Sequence, residues 1–240
     1  MNRRSFSMAF GLWLATGATV VALLLARARS SEDAAPALLD EPWPAPALEL
    51  TDPEGRIVRL SDFEDRVVAV FFGYTWCPDV CPITLAQLSR LQDELDPEAR
   101  RLQIVFVSLD PARDTAERLA RWTAAFHPSV VAVRGPLDEL RSTAWNWGIG
   151  FRYRVLERSP FADDSSTPGS GPVDSLALPT PGDLPAPGMV VDEPPVGVPY
   201  LVDHTSRTFL VDADGRVIAQ IAPEMEGATL ERAVRRALAR

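Results

Sequence analysis

Val67-Val68-Ala69-Val70-Phe71-Phe72-Gly73-Tyr74-Thr75-Trp76-Cys77-Pro78-Asp79-Val80-Cys81-Pro82 decides how the rest of the chain is read. Its opening residues form an unbroken apolar run of strand length, the pattern of a central strand buried on both faces. Gly73 ends the run. Beyond Pro82 a helical period sets in, with Leu85, Leu88, Leu91 and Leu95 on one stripe. The two cysteines therefore stand where a buried strand passes into a helix, and Pro82 suits the first helical position, where its missing N–H costs nothing. Unpaired amides and the helix dipole at such an end stabilise a thiolate, the form that attacks disulfides and binds metal. Three intervening residues let both sulfurs face one point and still close into a disulfide. An inert staple is the plain alternative, but so short a loop removes little chain entropy, and a domain of this size does not need one.

The pattern continues on both sides. Upstream, Leu48 and Leu50 alternate with polar neighbours, Asp52-Pro53-Glu54-Gly55 is a turn, and Ile57-Val58 resumes an extended pattern, so an N-terminal β-hairpin is expected. Downstream, 102–109 reads as a strand and 114–126 as a helix, with Asp114 as N-cap and Glu117 completing a capping box. A strand at 130–133, a helix at 137–147 and an extended stretch at 149–156 follow. Arg207–Val211 and Arg216–Ile221 flank the turn Asp212-Ala213-Asp214-Gly215, and a last helix starts near Ala228. Strands alternating with helices, closed by a hairpin and a helix, predict a three-layer α/β domain. A cysteine pair at the strand-to-helix passage is the thioredoxin-like arrangement. Residues 159–199 break the pattern: they hold ten of the chain's 22 prolines, six acidic residues and no basic one. Such a segment buries too little apolar surface to offset its ordering entropy, and reads as a long mobile loop inserted in the domain.

The chain has 240 residues, room for one substantial domain, and a net charge of −9. It contains no lysine, which removes Schiff-base and P-loop chemistry. An acidic chain without a basic cluster is not a nucleic-acid binder. Arg3 and Arg4 precede an apolar run from Phe6 to Ala26, long enough as a helix to cross the roughly 30 Å core of a bilayer. Residues 1–29 are therefore expected to be a membrane anchor or an export signal. The favoured reading is a retained transmembrane helix, single-pass in a bacterial inner membrane, with the domain in the periplasm. The alternative is a cleaved signal, for which Ala26-Arg27-Ala28 offers a small-x-small site, and a soluble exported protein. Asn2-Arg3-Arg4-Ser5-Phe6 also resembles a twin-arginine signal. Residues 30–46 read as an extended linker and 47–240 as the domain. Outside the cytoplasm a cysteine pair can be oxidised or metal-bound.

Two cysteines and two histidines are all the thiol and imidazole the chain has. Two thiolates make a poor zinc site, since zinc wants four ligands. Copper(I) is soft, accepts low coordination, and suits thiolates plus an imidazole. His204, in Val202-Asp203-His204-Thr205, is the natural third ligand, with Asp203 or a nearby carbonyl to orient the ring. A lone histidine near a strand is also commonly just a polar surface residue. His127, before Pro128 at a helix end, reads as structural. Met189 and Met225 read as packing or loop residues.

These residues are also familiar together. Gly73–Pro82 resembles the signature of the Sco/SenC copper chaperones, and Ser108-Leu109-Asp110-Pro111-Ala112-Arg113-Asp114-Thr115 and Asp203-His204-Thr205 match two further stretches typical of that family. The likeness runs from about Ala47 to the C-terminus, apart from the proline-rich insertion. It implies a thioredoxin-fold domain in which Cys77, Cys81 and His204 bind one copper ion. It further implies a role in delivering copper to, or reducing the cysteines of, the copper centre of cytochrome c oxidase. The partner would be the copper-bearing subunit of that enzyme or another exported copper or thiol protein. Trp76 departs from the family, many of whose members have His there, and the insertion is longer than the family norm. The competing function is a thiol–disulfide oxidoreductase that uses Cys77 and Cys81 as a redox dithiol and carries no metal; if the chain is an enzyme, it is of that class. A thiol peroxidase ranks last, because Tyr74 stands where that pattern has Thr.

Overall fold

The computed structural model describes residues 38–96, 100–158, 186–223 and 227–239. Ahead of the cysteines run β1 (Trp43–Pro44), β2 (Glu49–Thr51), β3 (Ile57–Arg59) and β4 (Val67–Gly73), and α1 (Val80–Leu95) carries Cys81 in its first turn. There follow β5 (Leu102–Ser108), α2 (Ala116–Thr123), β6 (Val130–Val133), α3 (Leu137–Asn146) and β7 (Phe151–Val155). β8 (Val190–Val191), β9 (Tyr200–His204), β10 (Thr208–Val211), β11 (Arg216–Ile221) and α4 (Ala228–Leu238) complete the order.

β4 and β5 are buried along their whole length, so both faces of the sheet are covered, as their unbroken apolar runs require. They pair in parallel with Gly73 beside Ser108, and β6 pairs in parallel with β5. β10 runs antiparallel to β4 and carries β11 on its other side. The result is a mixed sheet in the order β1-β11-β10-β4-β5-β6. The β10–β11 turn is closed by Asp212, whose Oδ1 accepts from the amides of Asp214 and Arg216 at 3.2 and 2.9 Å. Gly215 supplies the left-handed φ of 71° that the turn needs. Phe71, Phe72, Phe106 and Phe209 fill the core with the α1 stripe of Leu85, Leu88 and Leu91, each such side chain worth roughly 1.5–3 kcal/mol of transfer free energy. A second, antiparallel sheet in the order β8-β7-β9 sets His204 opposite Phe151.

The structure moves four boundaries. The sheet begins before residue 47: β1 pairs with β11, and the Leu39 amide donates to the Ile218 carbonyl at 2.7 Å. Residues 38–46 are thus part of the domain and not of a linker, Pro44 being tolerated because β1 is an edge strand. Within the expected mobile insertion, residues 186–199 fold back. β8 adds to β7, with the Val155 amide donating to Met189 and the Gly188 amide to Val155, both at 2.9 Å. The open edge of β7 gives this proline-rich backbone the partners its composition did not advertise. The helix expected at 114–126 is shorter, and Thr115, not Asp114, is its N-cap, accepting from the Arg118 amide. Pro82 is the third residue of α1 and not the first, still within the turn whose amides have no helical partner. The expected membrane helix and Met225 lie outside the described residues, as do residues 159–185. Among the described residues no helix is long and apolar enough to cross a membrane.

Candidate metal centre

Gly73 and Ser108 end neighbouring parallel strands, so the segments leaving them, 74–79 and 109–115, emerge side by side at the carboxyl edge of the sheet. That edge is where open α/β sheets place their sites. The Leu109 amide donates to the Gly73 carbonyl at 2.7 Å and fastens the two exits together. Cys81 is fully buried and Cys77 half-buried, and both are free thiols. The seat of Cys81 depends on Gly73: a β-carbon there would stand 2.7 Å from Cys81 Sγ and 3.1 Å from the Phe106 ring.

The two cysteine side chains are hydrogen-bonded to each other. That bond outweighs burial and pulls the Cys77 thiol down to about 5, with help from the amides of Cys81 and Asp79 and from His204. The same bond, together with burial, pushes Cys81 up. Cys77 is therefore the thiolate at neutral pH and Cys81 holds the shared proton. The helix-end electrostatics expected from the sequence act on Cys77, which lies just outside α1, through amides of its first turn.

His204 closes β9. Its Nδ1 lies 3.0 Å from the Val202 carbonyl and its Nε2 lies 3.1 Å from the Ser206 hydroxyl. A carbonyl only accepts, so the Nδ1–H tautomer satisfies Val202 and leaves Nε2 as the acceptor for Ser206. Burial holds the His204 pKa below its ordinary value, while the carbonyls of Val202 and Phe72 and the charge of Cys77 pull the other way. A neutral imidazole is the ligating form. The Cys77 sulfur and this ring are near enough for each to act on the other's charge. Tyr74 meets the ring edge-on with centroids 5.9 Å apart. The carbonyl of Val202 orients the imidazole; Asp203, the other candidate for that task, pairs instead with Arg154 at 2.7 Å.

Among the described residues, no three His, Cys, Asp or Glu side chains stand close enough together to hold a metal ion. What is assembled is a bonded sulfur pair and, in electrostatic reach of it, an imidazole whose lone pair meets a hydroxyl. An open cleft lined by Trp145, Phe151 and Val190 leads to His204. His127 is engaged with Ser129, at 2.6 Å through Nδ1, and with Asp93. Met189 is half exposed, its sulfur accepting from the Ala186 amide at 3.2 Å. Trp76 lies under the Arg118 guanidinium at 3.9 Å.

Sequence reasoning left Asp110, Arg113, Asp114 and Tyr200 without a part in the site. Asp110 and Asp114 are fully buried. Arg113 donates to Asp110 at 2.6 Å and to the Tyr200 carbonyl at 2.9 Å, and its guanidinium lies 3.5 Å from the centre of the Tyr200 ring. The signal for them was the charged 108–115 stretch directly after a buried strand, whose matched motif had no chemistry attached to it.

Comparison with known proteins gives the family and the fold. The SCO1/SenC family profile matches residues 43–166, a span that includes both cysteines and the 108–115 stretch and stops short of His204. A Stutzerimonas stutzeri protein, named provisionally as copper-binding, is 32% identical over 141 residues, covering 58% of this chain and 69% of that one. An SCO2-like protein of Rickettsia felis is 25% identical over 170 residues, covering 71% of this chain and 65% of that one. The solution structure of apo Sco1 from Thermus thermophilus superposes with a TM-score of 0.58 at 33% identity, covering 84% of this chain and 93% of that one.

Proposed function

The chain belongs to the SCO1/SenC family, and from that premise we propose that it is an exported carrier of one copper ion, held as cargo by Cys77, Cys81 and His204. The observation that supports the proposal is the donor set: two hydrogen-bonded sulfurs, one of them a thiolate, at the carboxyl edge of the main sheet and, in electrostatic reach of them, an imidazole of the second sheet with Nε2 as its acceptor nitrogen. Two soft sulfurs and one nitrogen, with no carboxylate joining them among the described residues, suit monovalent copper better than zinc or a hard cation. Loading requires Cys81 to release its proton and Nε2 to exchange the Ser206 hydroxyl for the metal. The name of the Stutzerimonas stutzeri relative points to the same cargo.

The acceptor we infer is the copper-bearing subunit of cytochrome c oxidase or another exported copper or thiol protein, reached outside the cytoplasm. Export and anchoring rest on the apolar run after Arg3 and Arg4. Oxidation of the pair forms one S–S bond and gives two electrons and the one shared proton to a disulfide or other oxidant, so the carrier empties when its thiols are lost.

The test is anaerobic copper(I) titration of the reduced full chain against a competing chelator. One equivalent should bind, and His204→Ala should weaken binding by more than the roughly 10–100-fold that loss of an outer-shell partner costs. The same variant should keep its rate of dithiol exchange with a small disulfide. Unchanged copper affinity in His204→Ala removes the imidazole from the site, and no binding by the reduced parent leaves the dithiol oxidoreductase.

A further inference from the structure

The cysteines and the histidine belong to separate parts of the fold. Cys77 and Cys81 lie at the β4–α1 junction of the main sheet, whereas His204 ends β9 in the second sheet. Among the described residues no strand pairing joins the two sheets. Three residues tie His204 to β10 of the main sheet, and beyond that link one segment, Ser108–Asp114, bonds through side chains to both halves of the site.

On the sulfur side, Asp114 accepts from the Thr75 amide at 3.0 Å and the Thr75 hydroxyl at 2.6 Å, two residues before Cys77. The Ser108 hydroxyl donates to the same carboxylate at 2.6 Å. On the imidazole side, Tyr200 at the start of β9 donates its hydroxyl to Asp110 at 2.8 Å. Arg113 bridges that carboxylate to the Tyr200 carbonyl and stacks on its ring. Tyr153 of β7 adds a bond from its hydroxyl to the Leu109 carbonyl at 3.1 Å. The Arg113 guanidinium also faces Tyr74, at 6.0 Å from the ring centre, and Tyr74 is the residue against which His204 rests. Apart from the Ser108–Asp114 and Arg113–Asp110 bonds inside the segment, each of these side-chain bonds runs from 108–114 to a stretch that carries a sulfur or the imidazole, or to the strand beside it.

We propose that Asp110, Arg113 and Asp114 are positioning residues that hold the histidine-bearing strand in register with the cysteine loop, so that the two halves of the copper site meet. The proposal rests on the three-ligand reading above. Asp114 sets the sulfur half through Thr75, and Asp110 with Arg113 sets the imidazole half through Tyr200. None of the three ligates. Their contribution is that the imidazole is delivered to the sulfurs without a search, which lowers the ordering cost of binding.

Replacing Asp110 or Arg113 outright leaves an uncompensated buried charge and endangers the fold. Tyr200→Phe removes only the hydroxyl that bonds Asp110 and keeps the ring under Arg113, and Arg113→Lys keeps the charge while giving up the stacked fork. In the reduced full chain, Tyr200→Phe should lower copper(I) affinity about tenfold. Combined with His204→Ala it should lower affinity no further, because a positioning residue has nothing left to position. A metal-free readout accompanies this cycle. The imidazole 15N resonances of His204 in the reduced apo protein should shift in Tyr200→Phe and in Arg113→Lys, while those of His127 stay in place. Unmoved His204 resonances with full copper affinity overturn the proposal, and so does a Tyr200→Phe loss that persists undiminished in the His204→Ala background. If the parent chain binds no copper, the carrier reading fails, and the His204 resonances alone still decide whether the brace exists.

Discussion

Gly73 shows how a single atom sets the site. The strand could accept any small residue for its own sake, but the sulfur of Cys81 occupies the space where a side chain would begin. Gly73→Ala should therefore destabilise the reduced protein by about 1–3 kcal/mol, the cost of overpacking a closed core, read from a shift in the urea midpoint. An unchanged midpoint would mean that Cys81 has room to retreat. Asymmetry between the thiols follows from placement in the same way. One sulfur lies outside the helix where amides point at it, the other is sealed behind it, and a shared hydrogen bond divides their acidities. Spacing and the proline after the second cysteine made that edge of the story legible in advance. The close approach at Gly73 was not, because it needs Phe106 and α1 in three dimensions.

At the scale of elements, the connection from β5 to α2 carries most of what pattern reading missed. Asp114 satisfies the N-cap composition rule, yet its carboxylate turns inward to Thr75 and Ser108, and Thr115 caps the helix instead. A local rule lost to a tertiary contact that no window of sequence contains. Burial, reinforced by the charge of Asp110, raises the Asp114 carboxyl to about 6 from its ordinary value of 3.8. The folded chain thus keeps a proton through a range in which an unfolded aspartate has released it. This group favours folding most below its unfolded value, and the contribution is lost as pH rises through about 6. Asp52 and Asp96, whose pKa values are lowered by their hydrogen-bond donors against the pull of burial, act in the opposite sense. The signature is therefore a difference: between about pH 4 and 6, parent stability should fall relative to Asp114→Asn as pH rises. Parallel stability curves for the two proteins would place the Asp114 carboxyl in the ordinary range. The periodic elements themselves were legible, since β4, β5, α1 and the β10–β11 hairpin carry their burial in alternation, runs and stripes. Paired edges such as β1 and β8 were not, because a proline-rich or two-residue strand is defined by its partner rather than by its composition.

For the whole molecule, the three-ligand site proposed above requires residue 204 to reach residues 77 and 81 across two sheets. Toward this the chain has parallel strands that end together, a hydrogen bond from Cys81 that lowers the Cys77 pKa, and two buried carboxylates with Arg113 that bond to Thr75 and Tyr200. Family membership was readable from three motifs in order, while the geometry that unites them was spread over side chains far apart in sequence. Copper K-edge X-ray absorption on the reduced, copper(I)-loaded full chain tests that union most directly. Two sulfurs and one nitrogen per copper, with the nitrogen lost in His204→Ala, is the predicted shell; a sulfur-only shell that the substitution leaves unaltered contradicts it.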